Sequence, residues 1–158
     1  MDFKTQLYLF FSHPVLQGCV FSWLSAQFVK TCIKLFSGKI HSLKELFELL
    51  IWRTGSMPSS HSALVSALST TIGFNSGFHS DVFMLSLAFF FVTIRDALGV
   101  RRANGIQATE LNKIGKTLSE KEIVDYKPIK EVQGHTPSEV IVGCFLGFFV
   151  GLAFSVLK

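Results

Sequence analysis

The stretch that decides the fold is Gly55-Ser56-Met57-Pro58-Ser59-Ser60-His61-Ser62-Ala63, which runs directly into an apolar segment. Proline suits the first turn of a helix, where the N–H that it lacks has no partner. We therefore predict a helix from Pro58, with free N–H groups at Ser59 and Ser60. Such a helix start attracts an oxyanion, and His61 could exchange a proton with it. Taken alone, an ordinary capped helix explains this stretch equally well.

The composition indicates a membrane protein. The 158 residues have a mean hydropathy of +0.43, and only 16% of them are charged, against about 25% in a typical soluble domain. A soluble domain of this length could not bury so many apolar side chains. We expect one membrane-embedded domain, residues 1–158, with the bilayer as its solvent.

Four apolar segments are candidates for membrane-spanning helices, which need about 20 residues. They are Leu7–Val29, Pro58–Phe74, Asp81–Asp96 and Pro137–Leu157. Ser42–Trp52 is too short to span and is predicted to be an amphipathic helix that lies on the membrane surface or packs against the bundle. Ala103–Leu118 is predicted to be a polar helix, and Ser119–Gln133 a loop with some helix. The predicted fold is all-α, an integral-membrane bundle of about four spanning helices plus short amphipathic helices.

The last segment carries a glycine at every fourth residue, at Gly143, Gly147 and Gly151. Small residues at this spacing let two helices approach closely in lipid. The stripe fits an internal helix contact and a homodimer interface equally well.

Lys and Arg are distributed unevenly between the two sides of the predicted bundle. Five lie in residues 30–57 and eight in residues 95–137, which together make 13 of the 15 in the chain. Four spans place both regions on one side, and the positive-inside rule puts that side in the cytoplasm. We expect a protein of the bacterial inner membrane whose polar clusters meet at the cytoplasmic face.

A second polar motif is Gly134-His135-Thr136-Pro137-Ser138-Glu139. Thr136 can cap a helix, and His135 and Glu139 are one helical turn apart. A carboxylate on one imidazole nitrogen fixes the tautomer and leaves the other nitrogen nucleophilic. Alone, a surface cap with a polar pair is the simpler interpretation.

A third signal is the pair Arg101-Arg102, which follows Asp96. Planar guanidinium groups bind phosphate through two hydrogen bonds, and Asp96 could hold one arginine in place. Alone, a pair of positive-inside anchors explains these arginines better.

Together, the three motifs resemble the divergent branch of the type 2 phosphatidic acid phosphatases, a superfamily that includes the vanadium haloperoxidases and bacterial acid phosphatases. The matching residues are Thr54–Ala63, Asp96–Arg102 with Gly105, Gln107, Ala108 and Asn112, and Gly134–Val140. The resemblance implies a helical bundle that hydrolyses a phosphomonoester through a phosphohistidine, without a metal or another cofactor.

The resemblance also implies roles for single residues. The family's Pro-Ser-Gly-His motif ends at His61, with Ser60 in the glycine position. His61 would then be the general acid that protonates the leaving alkoxide. The family's His-x-x-x-Asp motif implies His135 as the nucleophile and Glu139 as its orienting carboxylate, with Gly134 in support.

Two motifs of the superfamily have no counterpart in this chain, an Arg-Pro after a distant lysine and a Ser-Arg before the nucleophile. We assign the first role in part to Arg53, with Lys44 as a weaker alternative, and the second to Arg101 and Arg102. Phosphate is expected to bind these arginines and the N–H groups of Ser59 and Ser60.

The function that we expect is hydrolysis of a lipid phosphate made on the cytoplasmic side, such as phosphatidylglycerophosphate or phosphatidic acid. Undecaprenyl pyrophosphate, recycled on the outer face, is disfavoured by the charge count. The alternative is a non-catalytic module that binds anionic lipid headgroups in the same pocket, which the two missing motifs support. A metal site is the weakest hypothesis, because no ligand spacing supports it and the arginines would repel a cation. No nucleic-acid partner is expected.

Overall fold

The computed structural model describes residues 1–37, 57–131 and 134–157. In these ranges the chain forms six helices and no strand, which confirms the all-α prediction. The helices are α1 (Phe3–Phe11), α2 (Pro14–Phe36), α3 (Ser60–Ser76), α4 (Asp81–Leu98), α5 (Val100–Glu120) and α6 (Pro137–Val156). The predicted surface helix Ser42–Trp52 and Arg53 lie outside the described residues.

Among the described residues, two helices are long and apolar enough to cross a membrane, the continuous pair α4–α5 and α6. The pair α1–α2 would add a third, although it is bent by 48° at the break before Pro14. This count is slightly lower than the four spans predicted. The difference is α3, which has 17 residues, of which nine are buried. It forms the centre of the bundle, so its surface is covered by other helices and its composition is more polar.

Side-chain caps set the two helix starts that matter most. Ser59 caps α3, because its Oγ accepts a hydrogen bond from the Ser62 N–H (3.4 Å). The predicted start at Pro58 was therefore two residues early, and Pro58 is buried ahead of the cap. α6 begins at Pro137 as predicted, and Thr136 and Glu139 form a reciprocal capping box.

The glycine stripe of α6 packs directly on the backbone of α3. Each glycine lies against a carbonyl oxygen of α3, Gly143 on Ser59, Gly147 on Ala63 and Gly151 on Ala67. Both series advance in the same direction, so α3 and α6 are parallel and their N-termini lie at the same end. The stripe therefore serves an internal helix contact.

α2 and α4 run antiparallel to this central pair. Gly18, near the start of α2, packs on Thr71, near the end of α3. α4 follows α3 after a tight turn at Gly77, and the Ser69 hydroxyl donates to the Ser86 carbonyl oxygen (3.0 Å). One end of the bundle consequently combines the last turns of α2 and α4 with the first turns of α3 and α6.

The outer surface of α4 and α6 is apolar. More than half of each side chain is exposed at Phe89, Phe91, Phe145 and Phe149. Exposed aromatic rings on helices of this hydropathy are the expected lipid-facing surface of a membrane protein.

α5 continues α4 beyond Gly99 and packs against none of the other described helices. Its 21 residues extend about 30 Å, at roughly 1.5 Å per residue. Residues 121–131, the return segment, then run back along α5 without forming a helix. The helix expected within Ser119–Gln133 is thus limited to the end of α5, because the described part of the loop bonds to side chains of α5 instead.

Candidate active site

The two predicted catalytic histidines lie at neighbouring helix starts. His61 is in the first turn of α3, and His135 precedes the cap of α6. The Ser59 N–H donates to the Glu139 carbonyl oxygen (3.0 Å), which ties the two helix starts together. Because the helices are parallel, the positive ends of both helix dipoles face the same space.

His135 is buried and held by a carboxylate. Only 6% of the residue is exposed, and its Nδ1 lies 3.1 Å from Glu139 Oε2. An ionised carboxylate only accepts hydrogen bonds, so this contact assigns a proton to Nδ1 and, in the neutral imidazole, leaves the lone pair on Nε2. Glu139 Oε2 also accepts from the Thr136 N–H (3.0 Å), so the capping box orients the carboxylate that orients His135.

Charged groups from several segments act on His61. The strongest charge effects on its imidazole come from Arg101, His135, Lys30 and Asp96. These residues belong to α5, the segment before α6, α2 and α4, respectively. Residues that are far apart in sequence therefore lie at the same end of the bundle as His61.

The arginine pair lies at the joint between α4 and α5. Arg101 Nε is 2.5 Å from Asp96 Oδ2, and both side chains are partly exposed. A Cβ added at Gly134 would lie 2.3 Å from the backbone N and Cα of Arg102. Only glycine fits there, and this close approach places the residue before His135 on the start of α5.

The two predicted serine donors have different surroundings. Ser59 is fully buried, and its N–H and Oγ both bond within the protein, so in this structure it is a helix cap. The N–H groups of Ser60 and His61 have no acceptor among the described residues. These two donors are the ones available to an anion.

A buried lysine lies at the same end of the bundle, although the sequence predicts for it only a place among the positive-inside charges. Lys30 is 1% exposed, and its Nζ donates to Gln27 Oε1 (3.0 Å). Its charge acts on both Glu139 and His61. Among the described residues this cation has one hydrogen-bond partner, which is neutral, and a buried cation in such a setting is well suited to hold an anion.

The sequence did contain a signal for this lysine. Small buried residues recur every fourth position along α2 and lead to it, at Gly18, Ser22 and Ala26. That spacing marks one helix face, so a charge at the next position faces the bundle rather than the solvent.

Beside Gly134 lies an open cavity of about 290 Å³, lined by Arg102, Gly105, Ile106, Thr109 and Glu110.

Within the described ranges, no three His, Cys, Asp or Glu side chains lie close enough together to hold a metal ion.

Comparison with known proteins identifies the family. The sequence profile of the Divergent PAP2 family matches residues 11–150. The chain is 40% identical over 114 residues to the uncharacterized membrane protein YuiD of Bacillus subtilis (strain 168). The alignment covers 65% of this chain and 72% of YuiD. No solved structure matches the chain. The resemblance seen in the three motifs is therefore confirmed, and the chain belongs to the divergent PAP2 family of membrane proteins.

Proposed function

We propose that this protein is a membrane phosphatase that hydrolyses a lipid phosphomonoester through a phosphohistidine, without a metal. The observation that carries the proposal is the contact of the buried His135 with Glu139 at the start of α6, which a hydrogen bond joins to the start of α3, where His61 lies. Membership of the divergent PAP2 family supports it. A nucleophile with an orienting carboxylate and a nearby acid is the arrangement that phosphoryl transfer through histidine requires.

Phosphate would bind where the positive groups converge. Lys30 and Arg101 supply charge, and the N–H groups of Ser60 and His61 supply donors. A phosphate dianion in this position would compensate the buried ammonium group of Lys30. The same groups would stabilise the charge that spreads over the phosphoryl oxygens in the transition state.

The reaction has two steps. Nε2 of His135 attacks phosphorus, an N–P bond forms, the P–O bond to the lipid breaks, and His61 gives its proton to the leaving alkoxide. Water then attacks the phosphohistidine and passes a proton to His61. The N–P bond breaks, inorganic phosphate leaves, and both histidines return to their starting states.

The site would face the cytoplasm of a bacterial inner membrane. Lys30, Lys34, Arg95, Arg101 and Arg102 all lie at the site end of the bundle, which the positive-inside rule assigns to the cytoplasm. A lipid made on that side, such as phosphatidylglycerophosphate or phosphatidic acid, is then the substrate class.

The test is phosphate release from three lipids by detergent-purified protein in excess chelator. The lipids are phosphatidylglycerophosphate, phosphatidic acid and undecaprenyl pyrophosphate. His135→Ala should abolish release. His79→Ala is the matched control, because His79 is exposed in the turn between α3 and α4, at the opposite end of the bundle, and it should match the wild type.

Release that persists in His135→Ala would contradict the mechanism. No release from any lipid, together with vanadate binding that depends on Arg101, would favour the non-catalytic headgroup-binding module. Preferred hydrolysis of undecaprenyl pyrophosphate would contradict the substrate class and the cytoplasmic orientation.

A further inference from the structure

One amide group fastens the return segment to α5. The Asn112 Oδ1 accepts hydrogen bonds from the Tyr126 hydroxyl and from the Ile129 N–H (3.0 Å). Its Nδ2 donates to the Ile129 carbonyl oxygen (3.0 Å) and to Glu131 Oε1 (2.7 Å). An asparagine amide has two donor hydrogens and two acceptor lone pairs, and all four are used here.

Neighbouring contacts continue this attachment in both directions. The Thr109 hydroxyl donates to the second oxygen of Glu131 (2.8 Å). The Tyr126 ring lies over Gly115, where an added Cβ would come within 2.5 Å of it. The contacts move toward the start of α5 as the chain advances, so the return segment is antiparallel to the helix.

The attached segment leads directly to the nucleophile. It passes Glu131, and Gly134 then lies on the backbone of Arg102. His135 is the next residue, and its ring is held from the other side by Glu139. The backbone of His135 is therefore placed from two sides, by the cap of α6 and by the contacts on α5.

We propose that Asn112 is a positioning residue, and that its bonds to Ile129 and Glu131 set the place of His135 for attack on phosphorus. The kinetic part of this inference rests on the proposed function. A displacement of about 1 Å at a reacting group can cost roughly 100-fold in rate.

Asn112 lies outside the bundle core, so a substitution there can move His135 without lowering the stability of the bundle. Among the described helices, α5 packs only against α4, to which it is joined. The core between α3 and α6 contains no residue of α5. Loss of the Asn112 bonds should consequently leave the bundle folded while the segment before His135 becomes mobile.

The first variant is Asn112→Asp, which keeps the shape but replaces the donor NH₂ with an oxygen. It removes the bonds to the Ile129 carbonyl and to Glu131, and it sets two carboxylates against each other. We expect kcat to fall about 100-fold, with KM and the thermal midpoint nearly unchanged. Asn104→Asp, an exposed position on the same helix, is the matched control and should behave as wild type.

The second variant adds Glu131→Gln to Asn112→Asp. The new amide can donate to the new carboxylate, so one lost bond re-forms with donor and acceptor exchanged. Recovery of most of the lost kcat is expected. A purely structural disturbance of α5 would not be repaired by this exchange.

Two measurements do not depend on activity. The first is hydrogen exchange of residues 126–131, and the second is the rate at which diethyl pyrocarbonate modifies His135. Both should rise in Asn112→Asp and return in the double variant. If both rates change in this way in a protein that hydrolyses no lipid, Asn112 still positions His135, and only the proposed function is contradicted. Unchanged exchange and unchanged reactivity in Asn112→Asp would overturn the inference, whatever the activity. Faster exchange with unchanged His135 reactivity and unchanged kcat would also overturn it.

Discussion

The α3–α6 pair and the α5 hairpin, formed by α5 and the return segment, both lead to His135, but they are built differently. α3 and α6 touch through glycines and backbone carbonyls inside the bundle. The hairpin is held by side-chain bonds from Asn112 and Thr109. In lipid, close packing is the main source of helix association. Each hydrogen bond exposed to water contributes little, so several must act on one short segment.

The largest expected effect comes from disrupting the packing between α3 and α6. A Cβ at Gly147 would lie 2.0 Å from the Ala63 carbonyl oxygen. Gly147→Val should therefore force α3 and α6 apart, with a loss of about 3 kcal/mol or more and little folded protein in detergent. Ala88→Val, on the exposed face of α4, is the control. A normal thermal midpoint for Gly147→Val would contradict the internal role of the stripe.

The next effect concerns the candidate site at the joined starts of α3 and α6. Lys30→Met keeps the length of the side chain and removes the charge. Phosphate release should fall about 100-fold, and in a protein without phosphatase activity the affinity for phosphate should fall by the same factor. The thermal midpoint should stay the same or rise, because a buried charge has been removed. Lys116→Met, on the exposed surface of α5, should leave both unchanged. Equal activity in the two variants would remove Lys30 from the site.

A smaller effect is expected from a polar contact between the two central helices. The Ser66 hydroxyl donates to the Cys144 carbonyl oxygen (2.7 Å). Ser66→Ala should lower stability by roughly 0.6 to 1 kcal/mol. In Ser155→Ala the lost bond, to the Gly151 carbonyl, lies within α6, and the thermal midpoint should change less. A larger loss at Ser155 would show that hydrogen bonds between helices are not what joins α3 and α6.

The smallest expected effect is on the titration of Glu131, in the α5 hairpin. Hydrogen bonds from Asn112 and Thr109, with the charge of Lys113, lower the pKa of the Glu131 carboxyl below its ordinary value. Its contribution to stability is thus present above the ordinary pKa of a glutamate and is lost as the pH falls through the lowered value. Carboxyl NMR should show this low pKa, and Asn112→Ala should return it toward the ordinary value of a glutamate. An unchanged titration in that variant would contradict the contact.

Local patterns were enough to predict several elements. α6 begins at Pro137 as expected, and the His135–Glu139 spacing gives the observed contact, because four residues make one turn. The start of α3 was placed two residues early because Ser59, rather than a residue before Pro58, accepts the capping bond. Whether proline precedes or follows the cap depends on how the preceding chain packs, and local spacing does not encode it.

By itself, the sequence determined that this is a helical membrane protein with three polar motifs, because hydropathy, capping and one-turn spacing act over short distances. Only the tertiary structure decided that Lys30 is buried, at the end of the bundle that holds His61 and Glu139. It alone also decided that Asn112 holds the segment leading to His135. Both depend on which faces of distant segments meet, and that is settled by packing between residues far apart in the chain.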